Sequence, residues 1–186
     1  MNYTDRKSVK PKPHLNESGL YDYAIKALGR HMRTEAELRR LMHQRVEPGP
    51  RGEEVIASVV GRLKENGYLN DQSYAETYTR LRKENEKLGR RRVSQVLGQK
   101  GVASKIVEQV VGESYANTDE EKLARQHLER KRIRKPTNEK ETARVMRRLV
   151  AAGFSTGVIY KILRQWDVAE ESLTAWDNVA DEAEEE

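Results

Sequence analysis

Two stretches of the chain decide its fold: Arg92–Val111 (RVSQVLGQKGVASKIVEQVV) and Arg144–Leu163 (RVMRRLVAAGFSTGVIYKIL). At a shift of 52 residues they align without a gap, and the positions that define their apolar faces coincide. Apolar residues spaced by three and four predict amphipathic helices, and a glycine shared by both copies predicts a helix end. We therefore predict an internal repeat of helical units rather than a chance match. The matched pairs are Val93/Val145, Leu97/Leu149, Gly101/Gly153, Val102/Phe154, Ile106/Val158, Val107/Ile159, Val110/Ile162 and Val111/Leu163.

A less regular copy precedes these two. Val55, Ile56, Val59 and Val60 match at a shift of 51, whereas Leu38 and Met42 match at 55, and the Pro-Gly-Pro loop at 48–50 absorbs the difference. One unit alone has a small apolar core, so neighbouring units are expected to share contacts. The predicted fold is all-α, a tandem array of three three-helix modules that is elongated or curved. Its predicted parts are a flexible N-terminal arm (1–18), module 1 (19–69), module 2 (70–115), module 3 (116–166) and an acidic C-terminal tail (167–186).

Local signals place the helix ends. Capping boxes are predicted at Thr34/Glu37 and Thr118/Glu121. Asn138 with Glu141 is predicted to begin a helix, and Ser155 to cap the last helix. Helix ends are predicted at Asn66-Gly67, Gly101 and Gly153. A further helix from Asn70-Asp71 is expected to bury Tyr74, Ala75, Tyr78 and Leu81 on one face. No segment alternates apolar and polar residues long enough to predict a strand.

Composition excludes several classes of protein. The chain has 186 residues, no Cys, and 35 Lys+Arg against 30 Asp+Glu. Lack of Cys excludes a disulfide framework, thiolate metal sites and a cysteine nucleophile, and fits a reducing compartment. No apolar run is long enough to span a bilayer and no secretory signal is evident, so we expect a cytoplasmic protein without a membrane partner.

The charge is unevenly distributed along the chain. Residues 167–186 carry nine acidic side chains and no basic one, which leaves the rest of the chain at +14. Such a cationic body indicates a partner with phosphate groups or an acidic protein surface. The remaining alternative is a highly charged helical protein whose charges serve solubility.

Signals for catalysis are absent from the sequence. There is no phosphate-binding glycine loop and no Gly-x-Ser-x-Gly elbow, and His14, His31, His43 and His127 lack a metal-ligand spacing, so each is expected to be solvated or partly packed. Carboxylates such as Glu35 and Glu37 lie at helix starts, where capping explains them better than catalysis. We expect a protein that is not an enzyme and that needs no cofactor or metal.

The basic residues form two clusters. Residues 122–148 hold eleven Lys and Arg against three Glu, and a second cluster lies at 87–100. Arg144, Arg147 and Arg148 share one helix face through their i, i+3, i+4 spacing. For any single Arg, an ordinary solvated helix face remains an alternative. The candidate partner- and DNA-binding residues are Arg90, Arg91, Arg92, Lys100, Arg130, Lys131, Arg132, Arg144, Arg147 and Arg148.

The sequence resembles the RecX family of bacterial regulatory proteins. The resemblance runs through about residues 20–166, and its motifs are Thr34–Arg40 (TEAELRR), Gly67–Asp71 (GYLND) leading to Tyr74-Ala75, Gly89 with Arg92-Val93, Leu97 with Lys100-Gly101-Val102, and Gly153-Phe154. Each motif alone is weak, but their order on a threefold repeat is specific. One departure is Arg45–Pro48 (RVEP), where family members often carry a Lys-Gly turn, so the second helix is expected to end differently.

The resemblance implies a function in DNA repair, recombination and the SOS response. Proteins of this kind bind the RecA recombinase–DNA filament along its groove, inhibit its ATP hydrolysis and strand exchange, and promote loss or capping of the filament. The chain is accordingly expected to be a monomer that binds single- or double-stranded DNA only weakly and without specificity.

Two further hypotheses stay open. An independent helical DNA-binding protein, such as a transcription regulator, requires sequence preference without any recombinase, and no helix is marked as a recognition helix. Separately, Glu182–Glu186 of the acidic tail compete with phosphate for the basic surface, or else the tail serves only solubility.

Overall fold

A computed structural model describes residues 13–167, and these contain nine α-helices and no strand. The predicted all-α fold of three three-helix modules is confirmed. Residues 1–12 and 168–186, which include most of the predicted arm and tail, lie outside the described residues. The helices are α1 (Glu17–Arg30), α2 (Glu35–His43), α3 (Pro50–Glu65), α4 (Asp71–Glu86), α5 (Arg90–Gln99), α6 (Ser104–Tyr115), α7 (Glu120–Arg130), α8 (Glu139–Ala151) and α9 (Thr156–Gln165).

The repeat seen in the sequence is a repeat of burial in the structure. Five positions are buried in all three modules, and a sixth is half-buried in all three, at Val55, Ile106 and Val158. Burying the same positions keeps the second and third helix of each module packed against each other. The five buried sets are Leu38/Val93/Val145, Met42/Leu97/Leu149, Ile56/Val107/Ile159, Val59/Val110/Ile162 and Val60/Val111/Leu163, and the pair Val102/Phe154 is buried in modules 2 and 3.

Most predicted helix starts are confirmed. Thr34 and Glu37 form a complete capping box, and the Asn138 side chain accepts a hydrogen bond from the Glu141 N–H at 3.0 Å. Ser155 occupies the N-cap position of α9, but its hydroxyl donates to Glu120 Oε2 at 2.8 Å instead of capping the helix. The polar contact at the start of α9 is therefore made between helices.

The predicted capping box at Thr118/Glu121 is wrong. Asp119 is the N-cap of α7, and its carboxylate accepts from the Lys122 N–H at 3.0 Å. The Thr118 hydroxyl instead donates to the Ser114 carbonyl of α6 at 3.5 Å, so it is not available to α7. The N-cap is therefore one residue later than predicted, because the threonine hydroxyl is hydrogen-bonded to the preceding helix.

The apolar face predicted for α4 is wrong at its last position. Tyr74 and Ala75 are buried, but Leu81 is 41% exposed, and Thr79 is buried in its place. Ala75 and Thr79 are four residues apart, so the buried stripe follows the i, i+4 row and leaves Leu81 on the outer side.

Contacts divide the chain into two compact units, with the boundary inside α4 between Tyr74 and Ala75. The first unit is built on α1, α2 and α3, around a core that includes Leu20, Leu38 and Ile56. Helix α1 begins at Glu17, so the last two residues of the predicted arm are helical, because Asn16 caps the helix by accepting from the Gly19 N–H at 2.9 Å. Helix α2 ends at His43, just before the departing Arg45–Pro48 sequence.

The second unit holds α5 to α9 and most of α4. Helix α5 packs on α6, and α9 packs on both α7 and α8 around a core that includes Leu123, Leu149 and Phe154. Leu88, from the α4–α5 loop, and Tyr115, from the end of α6, also pack against this core. Modules 2 and 3 thus share contacts, as the small size of one module requires.

Candidate partner-binding surface

The α4–α5 loop of module 2 is anchored on module 3. Two main-chain groups of the loop have partners: Gly89 N–H donates to the Ala152 carbonyl of module 3 at 2.8 Å, and the Leu88 carbonyl accepts from the Tyr115 hydroxyl of α6 at 2.7 Å. The carbonyl of Glu86, the last residue of α4, lies 3.0 Å from His127 Nδ1 of module 3. A loop whose polar groups are satisfied in this way is held in one position.

Two glycines allow the close approach at this anchor. A Cβ atom at Gly89 would lie 2.3 Å from the Gly153 carbonyl oxygen, and one at Gly153 would lie 2.2 Å from the Arg92 nitrogen. Gly153 also has a φ of 88°, in the left-handed region that favours glycine. We call this contact between the start of α5 and the α8–α9 turn the glycine joint. No side chain fits between the two backbones there.

The glycine joint brings part of the two predicted basic clusters together. Arg90, Arg91 and Arg92 form the first turn of α5, which rests on Gly153, two residues beyond the end of α8. Arg90 and Arg91 are exposed, whereas Arg92 is half-buried and donates to Gln95 Oε1 at 2.8 Å. The first turn of α5 contains no acidic residue, so three arginines stand at the positive end of a helix.

Beside the joint, module 3 opens into a cleft of about 450 Å³. Leu88, Ile133, Ala151 and Ala152 supply apolar lining, while Lys131, Arg148 and His127 supply polar groups. An adjoining cleft of about 230 Å³ shares Ile133 and Arg148 with the first. Its other lining residues are Arg132, Arg134, Lys135, Pro136, Glu141, Arg144 and Val145. We call the two together the basic cleft.

The basic cleft has few internal counter-charges. Glu141 is committed to Thr137, accepting from its N–H at 2.8 Å and its hydroxyl at 2.9 Å, and these hydrogen bonds lower the pKa of the Glu141 carboxyl. Lys135 pairs with Asp167 at 3.2 Å. Within residues 13–167, Arg132, Arg144 and Arg148 have no carboxylate within 4.0 Å. Arg144 is attracted by Glu141 and so is partly compensated, but an anion entering the cleft meets Arg132 and Arg148 without a paired carboxylate inside the described chain.

His127 lines the basic cleft and is itself buried. It is only 5% exposed, and its ring lies edge-on to Phe154 with ring centroids 5.8 Å apart. Burial lowers the pKa of His127, and the nearby Lys131 and Arg130 lower it further. Because a carbonyl only accepts hydrogen bonds, Nδ1 of the neutral ring carries the proton toward Glu86.

The predicted site residues do not all lie at this surface. Lys131, Arg132, Arg144 and Arg148 line the basic cleft, and Arg90–Arg92 lie at the glycine joint. Lys100 is at the other end of α5, about 15 Å from its first turn. Arg130, at the end of α7, and Arg147, on α8, are exposed and line neither part of the cleft.

Sequence reasoning missed Leu88, His127, Arg134 and Lys135 as parts of this surface. The charges of Arg134 and Lys135 placed them in the basic cluster at 122–148, but nothing in the local sequence indicates that Leu88 crosses to module 3. Within residues 13–167, no cluster of three or more His, Asp or Glu side chains is arranged to bind a metal ion. None of the helices in that range combines the length and apolar content that a bilayer crossing needs.

Comparison with known proteins gives a consistent result. The family model for the second three-helix domain of RecX matches residues 70–111. A regulatory protein RecX from Thermus thermophilus is 31% identical over 149 residues, which cover 80% of this chain and 91% of the relative. One from Oceanobacillus iheyensis is 30% identical over 162 residues, covering 84% of this chain but only 57% of that longer relative. These relatives are named as regulatory proteins, not as enzymes.

A solved structure supports the same fold. A crystal structure of regulatory protein RecX superimposes with a TM-score of 0.66 at 21% sequence identity, covering 80% of this chain and 73% of the other. At that identity the superposition establishes the helical fold alone.

Proposed function

Because the chain belongs to the RecX family of regulatory proteins, we propose that it binds the RecA recombinase–DNA filament and inhibits ATP hydrolysis and strand exchange. It acts as a cytoplasmic monomer that modulates DNA repair and recombination without catalysis of its own. Its affinity for single- or double-stranded DNA alone is weak and depends on salt rather than on sequence.

The observation that carries the proposal is the glycine joint. It fixes the arginine-rich first turn of α5 on the α8–α9 turn, next to the basic cleft, so that cations distant in sequence belong to one rigid surface. Rigid presentation favours binding because side chains that are already in position lose little conformational freedom when the partner binds. Filament subunits offer repeated contact points, and contacts of modest strength on one chain combine through effective concentration.

The arrangement also suits a protein partner more than base recognition. Among the described residues lining the basic cleft there is no Phe, Tyr or Trp on which a base would stack. Cations around an apolar lining fit an acidic protein surface with apolar side chains, or a phosphate backbone held without sequence reading. A recombinase filament on DNA presents a protein surface and a phosphate backbone in one assembly.

The sharpest test is the double reversal R90E/R91E. Glutamates in the first turn of α5 interact favourably with the helix dipole, so the variant is expected to fold at least as stably as the wild type. We expect its inhibition of RecA ATP turnover on single-stranded DNA to require at least about tenfold more protein, since like charges now face the partner. The cleft variant R144E/R148E is expected to lose inhibition to a similar extent.

A matched control is K105E/K122E. Both lysines are exposed and lie outside the glycine joint and the basic cleft, and the change in net charge is the same. This control is expected to inhibit like the wild type. Inhibition by R90E/R91E at wild-type protein concentrations would remove the joint from the contact surface.

A duplex competition separates this proposal from an independent DNA-binding protein. Uniform, weak binding to several unrelated duplexes, lost as salt rises, fits a filament regulator that meets DNA through its partner. Tight and selective binding to one duplex in the absence of recombinase would favour a transcription regulator instead.

A further inference from the structure

The last described residue lies at the basic cleft. Asp167 Oδ2 is 3.2 Å from Lys135 Nζ, and Lys135 is a lining residue of the cleft. Asp167 is also the first residue of the acidic run that continues through Glu186. The chain therefore leaves the described part of the structure at a cationic surface, with one carboxylate already paired there.

The cleft requires two properties of its occupant. Lys131, Arg144 and Arg148 call for negative charge, whereas Leu88, Ile133 and Ala151 offer apolar contact. A bare phosphate backbone satisfies the first requirement only, and the lining has no Phe, Tyr or Trp on which bases would stack. An acidic peptide with apolar side chains satisfies both requirements.

Residues 168–186 have this composition. They contain eight acidic residues and no basic one, together with Leu173, Trp176 and Val179 at three-residue intervals. At up to about 3.3 Å per residue, a few residues after Asp167 are enough to reach along a cleft of this size. The attachment at Asp167 makes the encounter intramolecular, with an effective concentration on the order of millimolar.

We propose that residues 168–186 bind the basic cleft of their own molecule, with carboxylates on its cations and apolar side chains against its apolar lining. The segment thereby competes with any anionic partner for Lys131, Arg144 and Arg148, and a partner must displace it before it binds. This inference does not depend on the proposed function, because it concerns the isolated chain.

A single spin label tests the contact in the full-length protein. The chain has no Cys, so S172C provides one thiol for a nitroxide. We expect the amide signals of Ile133, Arg144 and Arg148 to lose at least half of their intensity, and to recover it in high salt. In R144E/R148E the loss is expected to fall by at least twofold, whereas K105E/K122E retains it.

Several outcomes would overturn the proposal. The first is that the amide signals of the cleft keep their intensity in the wild-type background. The second is that they lose the same intensity in R144E/R148E, and the third is that the intensity loss is spread evenly over the second unit. A fourth is the same loss of intensity at the cleft in a mixture of spin-labelled, unenriched molecules with unlabelled, isotope-enriched molecules, which would make the occupant a second chain. The wild-type measurement stands even if a charge variant fails to fold.

Competition for an oligonucleotide provides the second test. In the full-length chain, all eight acidic residues of 168–186 are changed to their amides, and binding of an oligothymidine is measured at low salt. We expect affinity to rise about tenfold, and a synthetic peptide of residues 168–186 to reverse the gain. An unchanged affinity, or a peptide that fails to compete, would show that the segment does not occupy the cleft.

Discussion

Modules 2 and 3, the two best-matched units of the repeat, end their equivalent helices in the same backbone conformation but in different surroundings. Gly101 has a φ of 82° and Gly153 a φ of 88°, as expected for glycines that end α5 and α8. Gly101 is exposed, whereas Gly153 is buried under the first turn of α5. The same local signal therefore ends a helix in module 2 and additionally makes a joint between modules in module 3.

Because of this difference, we expect alanine at Gly153 to have the largest effect on stability. G153A places a Cβ 2.2 Å from the Arg92 nitrogen, in addition to the cost of a left-handed alanine. We expect a loss of roughly 3 kcal/mol or more in the free energy of unfolding, measured by urea denaturation. G101A, at an exposed glycine with a φ of 82°, has the cost of a left-handed alanine and is expected to lose about 1–2 kcal/mol.

A third variant separates steric conflict from backbone strain. Gly89 has a φ of −74°, which any residue adopts, yet its Cβ would lie 2.3 Å from the Gly153 carbonyl oxygen. G89A is therefore expected to destabilise through the steric conflict alone. Equal losses in G101A and G153A, with none in G89A, would mean that the joint contributes nothing to stability.

Modules 2 and 3 also differ in a titratable group, because His127 of module 3 is buried against the α4–α5 loop. Its pKa is lowered in the folded state, so below about pH 6.5 the unfolded chain binds a proton that the folded chain resists. Stability is expected to fall as pH decreases from 7 toward 5, by up to about 1.4 kcal/mol per pH unit.

The comparison is with H127Q over the same pH range. Glutamine removes the titration, so its stability is expected to change less with pH even if its stability at pH 7.5 is lower. Parallel pH profiles for wild type and H127Q, measured by urea denaturation, would assign the dependence to other groups.

The repeat could be predicted because the spacing of apolar residues within each helix is a local pattern of the sequence. Val93 and Val145 carry the same spacing signal, and both are buried. The cap predicted at Thr118 was wrong because Thr118 and Asp119 are both residue types that begin helices. Only the hydrogen bond from the Thr118 hydroxyl to the Ser114 carbonyl decides in favour of Asp119.

The candidate surface was only half predictable for a similar reason. Charge marked the arginines of α5 and α8, but their relative position depends on Gly89 meeting Gly153, 64 residues later in the chain. Nothing in the Leu88-Gly89 sequence distinguishes a loop that docks on another module from one that faces solvent. Non-local contacts of this kind leave no periodic pattern in a single sequence.

The smallest expected effect concerns the hydrogen bond that anchors the same loop. The Tyr115 hydroxyl donates to the Leu88 carbonyl at 2.7 Å, and burial raises the pKa of Tyr115, so the hydroxyl stays protonated as a donor across the physiological range. Y115F keeps the ring but leaves the carbonyl without this donor, and we expect a loss of about 1 kcal/mol in urea denaturation. Y68F is the matched control, because Tyr68 is 58% exposed, and its stability is expected to stay within about 0.5 kcal/mol of the wild type. If the two variants are equally stable, the loop is held by the glycine joint and by Leu88 packing without help from this hydrogen bond.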